Sequence, residues 1–169
     1  MTIRPFEGNE LLKLADRFRA FFVGRDEVVW RAADVYSSVA QSIPGGSVLT
    51  ALTFNTVRQD TDGMWNAGSP TRLTVKVAGW YVCSGHCRLG SAGVVDSERI
   101  IALRVNAATI AANNYFPPRT TDTSYMSVSR VIFLASGDYL ELAIINSAAG
   151  AINTTVANYS PLLALCRYP

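Results

Sequence analysis

The chain has 169 residues, 49% apolar and only 17% charged, with 15 Lys+Arg against 13 Asp+Glu and a net charge of +2. Ordinary soluble domains are about 25% charged, so this composition excludes a disordered segment, which needs few apolar and many charged residues. It also excludes a basic nucleic-acid binder, and the 3 cysteines are too few and odd in number for a disulfide scaffold. A charge-poor chain of one domain's length hides more surface than a lone domain does, and oligomers are the usual reason. No apolar run approaches the ~18 residues of a membrane span. The N-terminus shows no basic stretch followed by an apolar one, so the reading is a protein made in a cytoplasm without a secretory leader.

The charges are unevenly placed. Residues 1–31 hold Arg4, Glu7, Glu10, Lys13, Asp16, Arg17, Arg19, Arg25, Asp26, Glu27 and Arg31, which is 11 of the 28, and the other 138 residues hold 17. This shift predicts an N-terminal anchoring segment over 1–31 and a head domain over 32–169. Within the first part the pattern predicts a helix over about 9–23. Asn9 stands where an N-cap accepts from first-turn amides. Leu11, Leu14, Ala15, Phe18 and Phe22 fall on one stripe, and Gly24 follows where a C′ glycine is expected. One short amphipathic helix is marginal alone in water, so its stripe must dock. It docks either on its own head or on another protein or sister copy; a membrane surface fits poorly, because the polar face is charge-balanced.

After residue 32 the period changes to two. Leu73, Val75 and Val77 alternate with polar neighbours, as do Ile101, Leu103 and Val105, and Leu140, Leu142 and Ile144. Breakers separate the runs at Pro44-Gly45-Gly46, Asp62-Gly63, Gly68-Ser69-Pro70, Gly90–Gly93, Pro117-Pro118 and Gly137-Asp138. Gly137-Asp138 predicts a tight hairpin turn between Val131–Leu134 and Tyr139–Ile145. Many short strands without a second helical pattern predict an all-β sandwich or jelly roll.

A set of residues is more specific. Phe54 is followed by five residues, Asp60, four residues and Trp65; then come Leu73, Gly79 and Tyr81, and later Gly137-Asp138-Tyr139. This resembles the globular-head family of complement component 1, subcomponent q, within the tumour-necrosis-factor-like jelly rolls. Leu73 stands one residue late where that family has a second Phe, and Cys83 stands where it prefers Phe. The resemblance covers roughly 32–168, and its texture is closest to the versions that bacteriophages encode as tail or head-fibre proteins. It implies a ten-strand jelly roll and a homotrimer packed about a three-fold axis. Trp65, Trp80, Tyr81, Phe133 and Tyr139 are then core or trimer-interface aromatics, with sugar stacking the minority role.

Catalytic chemistry is sparse. His86 is the one histidine, and no nucleophile elbow, zinc-protease helix motif or phosphate-binding glycine loop occurs. Cys83-Ser84-Gly85-His86-Cys87 hints at a metal site. In a strand, however, the two thiols share a face about 13 Å apart and His86 points away, so free buried thiols are expected and no metal or cofactor is called for. Asp60-x-Asp62-Gly63 echoes a calcium loop without its bidentate Glu and reads as a turn. Polysaccharide hydrolysis would need paired carboxylates, with Asp60, Asp62, Asp96, Glu98 and Asp138 the candidates. The loop 90–98 with Asp96 and Glu98, and the loop 113–123 with Tyr115, Phe116 and Arg119, are candidate recognition loops.

The expectation is a non-enzymatic virion protein. A trimeric head would serve in a tail or head fibre for attachment to a host-surface glycan or protein. Residues 1–31 would join it to other virion proteins through Leu11, Leu14, Phe18 and Phe22. The alternative is a trimeric capsid decoration protein clamping shell subunits through the same segment.

Overall fold

The computed structural model describes residues 31–90, 97–116, 123–156 and 160–168. The helix expected over 9–23, with Leu11, Leu14, Phe18 and Phe22, lies outside them, as do Asp96 and Arg119. The strands in chain order are β1 (Ala32–Tyr36), β2 (Ser42–Ile43), β3 (Thr50–Ala51), β4 (Thr56–Asp60), β5 (Arg72–Thr74) and β6 (Gly79–Leu89). There follow β7 (Arg99–Val105), β8 (Thr109–Phe116), β9 (Ser124–Leu134), β10 (Tyr139–Asn146), β11 (Ile152–Asn153) and β12 (Leu162–Arg167). They form an all-β sandwich of two five-stranded sheets, β4-β1-β12-β6-β9 and β3-β10-β7-β8 with β5 also on β10. The short β2 and β11 pair with each other and add a small ribbon to the ten strands expected.

Period-two alternation builds the first sheet. β6 and β9 pair antiparallel over their whole length, from Gly79 opposite Leu134 to Leu89 opposite Ser124. Successive side chains of a strand point to opposite faces, so Tyr81, Cys83, Cys87 and Leu89 of β6 and Met126, Val128 and Leu134 of β9 enter the core. Leu73, Ile101, Leu103, Leu140, Leu142 and Ile144 belong to the same core and come from the second sheet. The sheets approach closely at Gly85, where a Cβ would stand 2.5 Å from Leu142 Cδ1.

The second sheet departs from simple alternation. Glu141 and Ala143, on the face that the pattern gives to solvent, are also buried. Ala143 is hemmed by Ala51 on one side and Ala102 on the other. Glu141 Oε2 accepts from Arg104 Nε at 3.0 Å and Nη2 at 2.7 Å, and its Oε1 accepts from Thr71 Oγ1 at 3.2 Å. A buried carboxylate needs such partners, because taking it from water unpaired costs several kcal/mol.

Two turns differ from the sequence reading. Gly137-Asp138 is a tight turn, with Gly137 at φ 93° and Asp138 N donating to Ala135 O at 3.1 Å. It is not a hairpin, since β9 pairs with β6 and β10 with β7; the turn carries the chain from one sheet to the other. The connection between β7 and β8 is a true hairpin, closed by Asn106 and Ala107 at φ 53° and 58°, the left-handed pair a type I′ turn requires. Tyr115 and Phe116, expected in a loop, instead end β8 opposite Ile100 and Arg99. Strand pairing thus takes in Asn113–Phe116, where a loop was expected to begin.

The Arg104–Glu141 pair gives a direct test. Glu141→Ala is expected to lower unfolding free energy by about 2 kcal/mol, because it leaves a mostly buried guanidinium, 15% exposed, without its carboxylate. Arg104→Met combined with Glu141→Leu is expected to recover most of that loss in urea titrations at fixed protein concentration.

Candidate functional site

The outer face of the first sheet is set by three strands in register. Outward from β6 and β9 stand the pairs Trp80–Phe133, Val82–Val131, Ser84–Ser129, His86–Ser127 and Arg88–Tyr125. On the other flank of β6, Cys166 lies opposite Val82, Ala164 opposite Ser84 and Leu162 opposite His86. The face therefore divides into two bands. At one end Trp80 (56% exposed), Phe133 (53%), Val82, Val131 and Tyr168 are uncovered apolar side chains. The Trp80 and Phe133 rings meet edge to face at 5.8 Å, and Tyr168 N donates to Trp80 O at 2.7 Å. At the other end the side chains are serines, His86, and Tyr125 with the Arg88 guanidinium 4.9 Å over its ring.

The same face continues onto β1 and β4. Asp34 lies opposite Ala164 and Tyr36 opposite Leu162. Arg58 of β4 stands 4.8 Å over the Tyr36 ring and 3.9 Å from the Asp34 carboxylate. Arg58 remains largely in water, so this pair adds little stability. Burial lowers the proton affinity of His86, Arg58 pushes the same way, and Asp34 opposes both.

The residues singled out in the sequence occupy several places and do not converge on one site. Phe54 is fully buried. Asp60 ends β4, and its carboxylate accepts from Met64 N and Trp65 N, each at 2.9 Å, and from Asp62 N at 3.4 Å. Asp62 pairs with Arg31 at 2.7 Å. Trp65 is half-buried against the core with its indole Nε1 unpartnered. Gly79 starts β6 where a Cβ would meet Arg167 Nε at 2.6 Å. Tyr81 is buried and donates its hydroxyl to Val77 O at 2.7 Å; burial raises its pKa above the usual value.

Asp138 accepts from Ala135 N and Asn106 Nδ2, both at 2.8 Å, so it serves the crossover after Gly137. Glu98 is exposed, and its backbone N donates to Ser147 Oγ. Tyr115 is exposed, while Phe116 packs against the core. Among the described residues no group of three His, Cys, Asp or Glu side chains stands close enough to hold a metal. Cys83 and Cys87 are buried free thiols on the inward face, and Cys166 is free and half-buried.

Sequence reasoning missed the two-band face. One signal was present: Trp80–Cys83 and Val131–Leu134 are apolar on both strand parities, which a strand with one face in water does not need. The serines at 127 and 129, by contrast, alternate with Met126 and Val128.

No family model matches the chain, and no curated protein matches it. Solved structures do. The globular domain of zebrafish complement 1qA protein aligns at 17% identity with a TM-score of 0.53, over 80% of this chain and 93% of that one. Murine APRIL aligns at 10% identity with a TM-score of 0.61, over 82% of this chain and 99% of that one. The fold is thus the two-sheet jelly roll of the complement-q and tumour-necrosis-factor type.

The buried thiols make stability alkali-sensitive. Burial pushes Cys83 and Cys87 up to about 12 from a usual 9.0, so the fold favours the protonated form. The thiols leave stability untouched below pH 9 and remove it as pH climbs from 9 toward 12, by up to about 1.4 kcal/mol per pH unit for each thiol. Urea midpoints across that range are expected to fall, and to fall less in Cys83→Ala and Cys87→Ala.

Proposed function

We propose that this chain is a non-enzymatic structural protein of a bacteriophage particle. Residues 32–169 form a trimeric jelly-roll head for attachment to a host-surface glycan or protein, and residues 1–31 tie it to the particle. The observation that carries the reading is the apolar band of Trp80, Phe133, Val82, Val131 and Tyr168. Contiguous uncovered aromatic and aliphatic side chains on a rigid sheet mark an interaction surface. Burying an aromatic pair of this kind is worth a few kcal/mol per copy at about 25 cal/mol per Å² of apolar area.

A second copy of the chain is the natural cover. The band lies on one sheet of a jelly roll, so three copies related by a three-fold axis bring three such bands together in a closed ring. The likeness to complement-q and tumour-necrosis-factor-type heads supports that arrangement. The fibre-like texture of the sequence supports the phage setting. Attachment through many copies turns weak binding per site into tight binding per particle, because each further contact is intramolecular. The carboxylates Asp60, Asp62 and Asp138 are occupied in turns and crossovers, which favours display over turnover.

Light scattering on the purified chain is expected to give three times 18.3 kDa, and Trp80→Arg with Phe133→Asp to give a folded monomer. Soluble head is also expected to compete with the phage for its host. A monomeric wild-type protein overturns the assembly, and a trimer that fails to compete overturns attachment.

A further inference from the structure

The inner face of β7 begins with a charge. Alternate residues of a strand share a face, so Arg99 stands on the same side as Ile101 and Leu103, which belong to the core. Arg99 is 1% exposed. Burial lowers its proton affinity, but a guanidinium starts so far above neutral pH that it stays charged.

The surroundings of Arg99 supply no counter-charge. Its Nη1 donates to Ser124 Oγ across the sandwich, a neutral acceptor. Its Nε is buried and has no hydrogen-bond partner. None of the ion pairs among the described residues includes it. Phe116 of β8 and Asn146 of β10 stand opposite it on the two flanking strands. The Asn146 amide is engaged, donating to Gly150 O at 3.0 Å and accepting from Ala148 N at 3.2 Å. Glu98, the adjacent carboxylate in the chain, is exposed. Ser97 is 3% exposed, and its Oγ is buried without a partner. Within three residues the chain therefore buries a cation and a hydroxyl that both keep unused hydrogen-bonding capacity.

These groups select a ligand class. Buried charges are paired, because taking one from water alone is among the costliest burials a side chain makes. Guanidinium N–H and serine O–H both donate, which suits an anion and repels a metal ion or an ammonium group. Depth selects a small ligand, since Arg99 and Ser97 are both inside the fold. One guanidinium balances one negative charge.

We propose that Arg99 and Ser97 bind a small inorganic monoanion, of the size of chloride or nitrate, at this end of the core. The anion accepts from Arg99 Nε and Ser97 Oγ and neutralises the guanidinium, which stays bonded to Ser124 of β9. The inference goes beyond the attachment reading and stands whether the head is one copy or three.

The test compares the full chain in sodium gluconate, whose anion is too large for the site, with the same buffer at equal ionic strength in which chloride or nitrate replaces gluconate. The melting temperature is expected to rise with the small anion, by about 5 °C at a hundredfold excess over Kd. The quadrupolar NMR line of chloride is expected to broaden on adding protein and to narrow again on adding nitrate. Arg99→Met keeps an unbranched apolar stem without the charge, and is expected to fold and to lose both responses. If Arg99→Met loses its circular dichroism signature, Ser97→Ala takes its place. It is expected to weaken chloride binding about tenfold, as the loss of one hydrogen bond to a charged group does. A melting temperature that is the same in gluconate, chloride and nitrate overturns the proposal. Equal responses in wild type and the folded variant also overturn it, because they place the anion elsewhere on the protein.

Discussion

The antiparallel ladder between β6 and β9 is the constraint on which the rest depends. Both strands have 11 residues and pair along their full length. A strand's side chains alternate strictly, so a slip of one residue would exchange the two faces. It would drive Tyr81, Cys83 and Met126 into solvent and bring Ser84, Ser127 and His86 under the second sheet. Gly85 supports the register from inside, because a Cβ there would stand 2.5 Å from Leu142 Cδ1 and force that side chain to move. Once the register is set, the core face and the outer face follow together, and so does the division of the outer face into apolar and polar bands.

The open edge beside that ladder is managed by side chains. β9 and β8 are edge strands of different sheets, and free edges invite pairing with other chains. Arg130 Nη1 donates to Ala111 O at 2.6 Å, and Asn114 Nδ2 to Ser127 O, so each edge gives the other a donor. At one end of the core, buried Arg99 reaches across the sandwich to Ser124 Oγ. These stitches hold β8 beside β9. These side-chain bonds thus tie the two sheets together along that edge.

Much of the fold was legible in the chain. Alternation at Leu73, at Ile101–Val105 and at Leu140–Ile144 marks strands because the period of a pleated strand is local. What escaped depends on long-range pairing. Gly137-Asp138 has the chemistry of a hairpin turn, and nothing nearby in sequence says that its two strands belong to different sheets. The I′ turn at Asn106-Ala107 was invisible because Ala stands where Gly is usual. Glu141 looked like a solvent residue, since its partners Arg104 and Thr71 are 37 and 70 residues away in the chain. Of the candidate recognition residues, Asp96 and Arg119 lie outside the described residues, and Tyr115 and Phe116 belong to a strand whose extent is set by pairing with β7, which no local spacing announces.

The central claim is that the apolar band on the outer face is covered by sister copies. Hydroxyl-radical footprinting of the assembled protein tests it most directly. Trp80 and Phe133 are uncovered in a single chain, as Tyr115 is. The account predicts strong protection of Trp80 and Phe133 in the wild-type protein, with Tyr115 modified freely. Modification of Trp80 and Phe133 as fast as Tyr115 would contradict it.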